Sequence, residues 1–153
     1  MFRTILVTAA LIAAPTTAAT AQSCEAEPQF AFNRTSNGLV RAQFNSLRRA
    51  QWERAIHFGV EVSGSGASAR DKVVALSNLC YAYAAAGDAS EAIGACDAAL
   101  EQSSDAWRAL NNRGAAHWLA GDRAAAATDF QAAAAVAGDE DEVQANLALA
   151  QCS

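Results

Sequence analysis

Lysine is almost absent from this chain: Lys72 stands alone among 153 residues. There are two prolines, Pro15 and Pro28, and two histidines, His57 and His117. Aromatic residues make up only 7%. No C-x-x-C pair occurs, which excludes a thioredoxin-like site and a zinc ribbon. Beyond the N-terminus no apolar run is long enough to cross a bilayer. The sequence holds no Ser/His/Asp set, no spaced metal ligands, no glycine-rich phosphate loop and no isolated carboxylate pair. No enzyme, cofactor or metal site is therefore expected. His117 reads as a packed residue. His57, with Arg54 and Glu61 at helical spacing, reads as a surface cluster.

What the chain has in excess is alanine, 41 residues of it. Alanine is the best helix former and a poor strand former, so one all-α domain is expected. Collagen-like, disordered and multi-domain organisation are excluded. Residues 1–21 read as a secretory signal: Arg3, an apolar run from Ile5 to Ala14, Pro15, then the small-residue site Ala19-Thr20-Ala21. A buried N-terminal helix would not combine these three features. Cleavage after Ala21 leaves Gln22 first. Ala21, Gln22 and Ser23 before Cys24 match a lipid-attachment site poorly, which argues against a lipid anchor. The expected location is outside the cytoplasm, in a bacterial-type periplasm.

Removing Arg3 leaves 10 basic and 16 acidic residues, a net charge of −6 (11 − 1 − 16). That balance argues against nucleic acid. It is uneven: residues 34–72 carry seven basic and three acidic groups, residues 73–153 three and eleven. Solvated helix faces or one local anion-attracting patch both account for the early arginines.

The chain repeats itself every 34 residues. Ala75-Leu76-Ser77-Asn78 matches Ala109-Leu110-Asn111-Asn112, and Ala86-Gly87-Asp88 matches Ala120-Gly121-Asp122. Asn78, Asn112 and Asn146 keep the same interval. Each unit reads as a helical hairpin. Gly87 ends one helix in the left-handed conformation, and Asp88 with Glu91 forms a capping box for the next. Upstream, Arg49 to Ile56 matches the turn at an offset of 37, with the extra residues in the loop 63–68. The expected helices are 36–49, 52–63, 70–86, 89–102, 106–120, 123–136 and 140–151. Asp139 to Glu142 puts four carboxylates at the start of the last one, where the helix dipole favours them.

This pattern resembles the tetratricopeptide repeat (TPR) family, whose 34-residue unit carries apolar, small and aromatic residues at fixed offsets. The third unit supplies Leu110, Gly114, His117, Gly121, Ala126, Phe130 and Ala133. The second supplies Leu76, Cys80, Tyr83, Gly87, Ala92, Cys96 and Ala99. The first is degenerate: Leu39, Gln43, Ser46, Ala50, Ala55, Gly59 and Val62. Ser104 and Gly138 stand where the family has its closing proline. The resemblance implies a helical-hairpin solenoid of about three repeats, with units near 36–69, 73–106 and 107–138 and a capping helix 140–151.

It also implies a concave groove lined by the first helix of each unit. The groove positions are Val74, Ser77, Asn78, Tyr81 and Ala85; then Arg108, Asn111, Asn112, Ala115, Trp118 and Leu119; then Glu142, Ala145, Asn146 and Leu149. Unit one offers Val40, Arg41, Phe44 and Arg48. A carboxamide donates and accepts, so Asn residues one repeat apart can pair with an extended peptide backbone. The candidate peptide-binding residues are Asn78, Tyr81, Arg108, Asn111, Asn112, Trp118 and Asn146. In the alternative, the asparagines serve helix packing. A carboxylate clamp is doubtful, with Lys72 the only lysine and Asn146 where an Arg would be expected. The function implied is a protein- or peptide-binding adaptor of the cell envelope. The alternative is a self-contained module, or a lipid-anchored envelope component, whose groove is filled by its own N-terminal segment.

Cys80 and Cys96 lie eight residues either side of Asp88, so they face each other across the hairpin. The equivalent pair in unit three is Gly114 and Phe130. A disulfide Cys80–Cys96 is expected in an oxidising compartment, against two buried thiols as the alternative. Cys24 and Cys152 are then left to pair with each other, with another chain, or not at all.

Residues 22–35 form an extended N-terminal segment. Phe30 and Phe32 share one side of a strand and can dock in the groove or on the outside of the first helix. Glu25 and Glu27 would then meet Arg41, Arg48 or Arg49.

Overall fold

The computed structural model describes residues 26–151. Residues 1–21, read above as a secretory signal, and Cys24, Glu25 and Cys152 lie outside the described residues. Residues 26–36 carry no helix. Seven helices follow among the described residues: α1 (Gly38–Leu47), α2 (Trp52–Gly64), α3 (Ala69–Ala86), α4 (Ala89–Gln102), α5 (Trp107–Leu119), α6 (Arg123–Ala137) and α7 (Asp141–Ala150). Among the described residues, no helix is long and apolar enough to cross a membrane.

Consecutive helices pack as antiparallel hairpins, and α1, α3, α5 and α7 also pack on one another in a row. That second set of contacts makes a solenoid and sets one face of each of these helices along a common groove. Alanine permits it. Ala75, Ala82, Ala92, Ala99, Ala109, Ala116, Ala126 and Ala133 are fully buried, so backbones approach closely.

Gly87 and Gly121 end α3 and α5 with φ of 94° and 86°, as their turn positions require. Unit one has Ala50 in the same place, at φ 52°. The capping box expected at Asp88 does not form, since Asp88 makes no side-chain cap bond. Asp122, in the equivalent place, does cap, accepting from the Ala125 N–H at 3.0 Å. Asp88 has ψ near 71° and Asp122 near 82°, so the two backbones are similar. Ser68 caps α3 and Asn37 caps α1 through their side chains.

Each hairpin closes the space between its two helices differently. In unit two, Cys80 and Cys96 are joined as a disulfide, with Cα atoms 5.3 Å apart. In unit three, Phe130 fills the space over Gly114. In unit one, Gln43 lies against Gly59 and donates from Nε2 to the Ala75 carbonyl at 3.0 Å. Next to Gly114, Arg113 holds Asp129 of α6 through two bonds of 2.8 and 2.7 Å and Asp97 of α4 through one of 2.6 Å. These carboxylates raise the pKa of the Arg113 guanidinium, the hydrogen bond to Asp129 most strongly.

Candidate functional site

The groove is occupied by the chain itself. Residues 29–33 run along it as an extended strap, in the reverse order of the units. Gln29 lies at α7, Ala31 at α5 and Asn33 at α3.

Three asparagines hold the strap by its backbone. Asn146 Oδ1 accepts from the Gln29 N–H at 2.8 Å, and its Nδ2 donates to the Gln29 carbonyl at 2.7 Å. Asn112 does the same to Ala31, at 2.8 and 2.7 Å. Asn78 does so to Asn33, at 3.1 and 2.8 Å. Asn111 adds a bond from Nδ2 to the Gln29 carbonyl at 2.9 Å. The match is one of period: strap residues of one face recur every second position, and the asparagines recur once per repeat.

Each carboxamide has a second N–H, and each spends it on the preceding helix of the row. Asn78 Nδ2 donates to Gln43 Oε1 at 3.3 Å, Asn112 Nδ2 to the Ser77 carbonyl at 3.0 Å, and Asn146 Nδ2 to Asn111 Oδ1 at 2.8 Å. Holding an extended backbone and packing helices are therefore not alternatives for these asparagines; the same amide does both within this chain. Asn78, Asn111, Asn112 and Asn146 are fully buried. The expectation that they stand open for an outside ligand is corrected: the strap already uses them.

Even-numbered strap residues face an aromatic cluster. Phe30 stacks on Tyr81 with ring centres 4.7 Å apart and planes at 15°. Phe32 lies 5.3 Å from Phe44 and 5.5 Å from Tyr81. Trp52 closes on Tyr81 at 5.7 Å. Burial raises the pKa of the Tyr81 hydroxyl. Arg34 and Arg48 lie over Phe44 at 5.8 and 6.0 Å. Beyond the rungs, Thr35 Oγ1 donates to Asp71 Oδ1 at 2.5 Å, and Ser68 to Asp71 Oδ2 at 2.7 Å.

Two anchors assigned to a ligand have other work. Trp118 is buried in a cluster with Ala115, Phe130 and Leu149, on which Phe30 packs, and Arg123 covers its ring at 3.5 Å. Arg108 stacks on Trp107 at 3.9 Å and makes no hydrogen bond to the strap. Burial lowers the pKa of its guanidinium, against the opposing pull of Glu140 and Glu142. No ion pair joins Glu27 to Arg41, Arg48 or Arg49 among the described residues. The reversed strap places Glu27 beyond Gln29, which is bonded to Asn146 of α7. Among the described residues, no three metal-ligating side chains cluster.

Gln43 and Trp52 belong to the site and were missed as groove residues. Gln43 aligned with Cys80 and Gly114, a position inside the hairpin, and Trp52 with the start of a second helix, so neither was counted in the groove; a Gln at a position that the other units fill with Cys and Gly was a signal. An open cleft of about 590 Å³ remains beside the strap, lined by Glu27, Phe30, Trp52, Tyr81, Ala85 and Leu119 among others.

No family model and no curated protein matches this chain. Solved structures do. The first TPR domain of human RPAP3 superposes with a TM-score of 0.67 at 17% identity, over 74% of this chain and 88% of that one. The Arabidopsis OM64 TPR domain gives 0.64 at 19%, over 74% and 91%. PcrH from Pseudomonas aeruginosa gives 0.60 at 18%, over 78% and 91%. At these identities the likeness is one of fold: this chain has the helical-solenoid fold of tetratricopeptide-repeat domains.

Proposed function

We propose that this protein is a non-enzymatic adaptor of the cell envelope that binds an extended segment of another protein in its concave groove. Its own residues 29–33 hold that groove until a partner takes their place. The observation that carries this reading is the carboxamide ladder, which grips both backbone groups of every second residue. Such a grip is independent of the side chains that point away, and so suits a peptide supplied by another chain. TPR domains of similar fold have been solved with peptides: the first TPR of RPAP3 with an HSP90 peptide, and PcrH with the chaperone binding region of PopD. Export rests on residues 1–21; the envelope location rests on the small size and plain composition of the chain and on the habit of the family it resembles.

A second reading takes the strap as a permanent part of the core, in a self-contained module. The full burial of Ala31 favours it, since a displaced strap exposes the ladder. A photo-crosslinking residue at Leu119, beside the cleft, separates the two in cells. Adducts with another protein at Leu119, absent from a control at Val136 on α6, support the adaptor. Self-adducts alone, with and without a weakened strap, support the closed module. A chain that retains residues 1–21 and fractionates with the cytoplasm removes the envelope role.

A further inference from the structure

The strap is also a template of what the groove accepts. We propose that the partner's segment is an internal, extended stretch with the pattern aromatic–small–aromatic, in which the small residue and those two positions either side of it are not proline. This rests on the adaptor reading above and names its ligand.

Three observations set the pattern. At Gln29, Ala31 and Asn33 the backbone N–H and C=O are both taken by a carboxamide. Proline has no N–H, so at any of these positions it loses a bond and leaves an asparagine oxygen unpaired in a buried place. Pro28 is buried one residue outside this set, where its missing donor is not needed. Ala31 is 1% exposed, so a larger side chain at the centre has no room. Phe30 and Phe32, on either side, meet rings at 4.7–5.5 Å; offset or stacked pairs of this kind add to the area they bury.

The grip also says where in the partner the segment lies. Its rungs are neutral amides, and the nearby arginines are spent on rings: Arg108 on Trp107, Arg48 on Phe44. Among the described residues, no cation along the strap is set to receive a chain-terminal carboxylate, which suits an internal segment. The cleft beside Trp52, Tyr81, Ala85 and Leu119 offers a landing place. An aromatic side chain can enter there and reach Tyr81 before Phe30 has left.

Tethering holds the strap in place against competitors. A short tether gives an effective concentration on the order of millimolar, so a free peptide of equal fit competes only near that concentration. Weakening the strap within the full chain should lower the threshold. The test uses the full chain carrying Phe30→Ser and Phe32→Ser, checked for helix content, and a labelled peptide with the sequence of residues 26–36. The native-sequence peptide should bind this variant at least about ten-fold more tightly than it binds the unaltered chain. Peptides with Leu or Pro at the position of Ala31, or Ser at both aromatic positions, should bind it at least about ten-fold more weakly than the native sequence does. Equal binding of all these peptides overturns the pattern and leaves the adaptor reading standing. If the helical variant binds none of them, and Leu119 gives only self-adducts in cells, the adaptor reading falls as well. If the variant does not fold, deuterium uptake over residues 26–35 of the unaltered chain decides. Millimolar native-sequence peptide should raise it and a scrambled peptide should not; no difference between the two overturns the pattern.

Discussion

Phe130 lies so close over Gly114 that a Cβ at Gly114 would stand 2.7 Å from the ring. The glycine is there for the ring, not for its own backbone freedom. Phe130 is fully buried and has nowhere to go. Gly114→Ala should therefore destabilise, by about 1–3 kcal/mol, although alanine is the better helix former. Pairing it with Phe130→Leu should recover part of the loss. Urea denaturation of the two single variants and the double variant measures the coupling.

The rungs of the ladder are not equal. Asn112→Ala removes both bonds to Ala31 and the one to the Ser77 carbonyl. It leaves the N–H and C=O of a buried residue unpaired, at an expected cost of about 2–4 kcal/mol. Asn146→Ala should cost less, because Asn111 still holds the Gln29 carbonyl and Gln29 itself is exposed. Hydrogen exchange at the Ala31 amide should rise sharply in the first variant and little in the second.

Ala50 holds a left-handed conformation at φ 52° that its counterparts in the other turns meet with glycine. Ala50→Gly relieves a Cβ clash at the cost of extra freedom in the unfolded chain. The first term wins here, and the variant should gain about 0.5–1 kcal/mol. A higher midpoint in thermal unfolding, with no change in helix content, is the expected result.

Cys24 and Cys152 lie outside the described residues, yet the segments that lead to them converge. Gln29 is hydrogen-bonded to Asn146, five residues after one cysteine and six before the other. Cys80 and Cys96 are already paired. We propose that Cys24 and Cys152 are joined when the protein is held under oxidising conditions. Tryptic digestion without reduction should yield one linked species, in which the fragment ending at Arg34 is held to the fragment 124–153. Recovery of both fragments free refutes the bond.

Asp71 accepts hydrogen bonds from Thr35, the larger influence, and from Ser68, and both lower its pKa. A lowered folded pKa means that the contribution is present above the ordinary aspartate value and is lost as pH falls through the folded one. The carboxyl resonance of Asp71 should titrate below the usual aspartate range, and Thr35→Ala should move it upward.

The hairpins were readable because their signals are local. A Gly-Asp turn and a helical stripe recur at a fixed interval, and each specifies its own hairpin wherever the rest of the chain lies. The asparagine ladder was readable as a spacing but not as an occupied site. A carboxamide with two donors can serve a helix and a strand at once, and periodicity cannot say which strand. Phe30 and Phe32 marked the strap as something that docks. Its direction depended on the register between Gln29 and Asn146, which no local pattern carries. Trp118 was misread for a related reason: an aromatic residue on a first helix looks like an open anchor until Arg123 is seen to cover it.

The strap's direction matters for the order of events in a newly made chain. Each hairpin forms from neighbours in sequence and can assemble as it emerges. The rung between Gln29 and Asn146 spans 117 residues, so it must wait for the last helix. The rungs to Asn78 and Asn112 span 45 and 81 residues and need only α3 and α5, so the strap closes from Asn33 toward Gln29. Closing the strap at Gln29 is therefore the step that joins the two ends of the helical row, and it comes after every hairpin has formed.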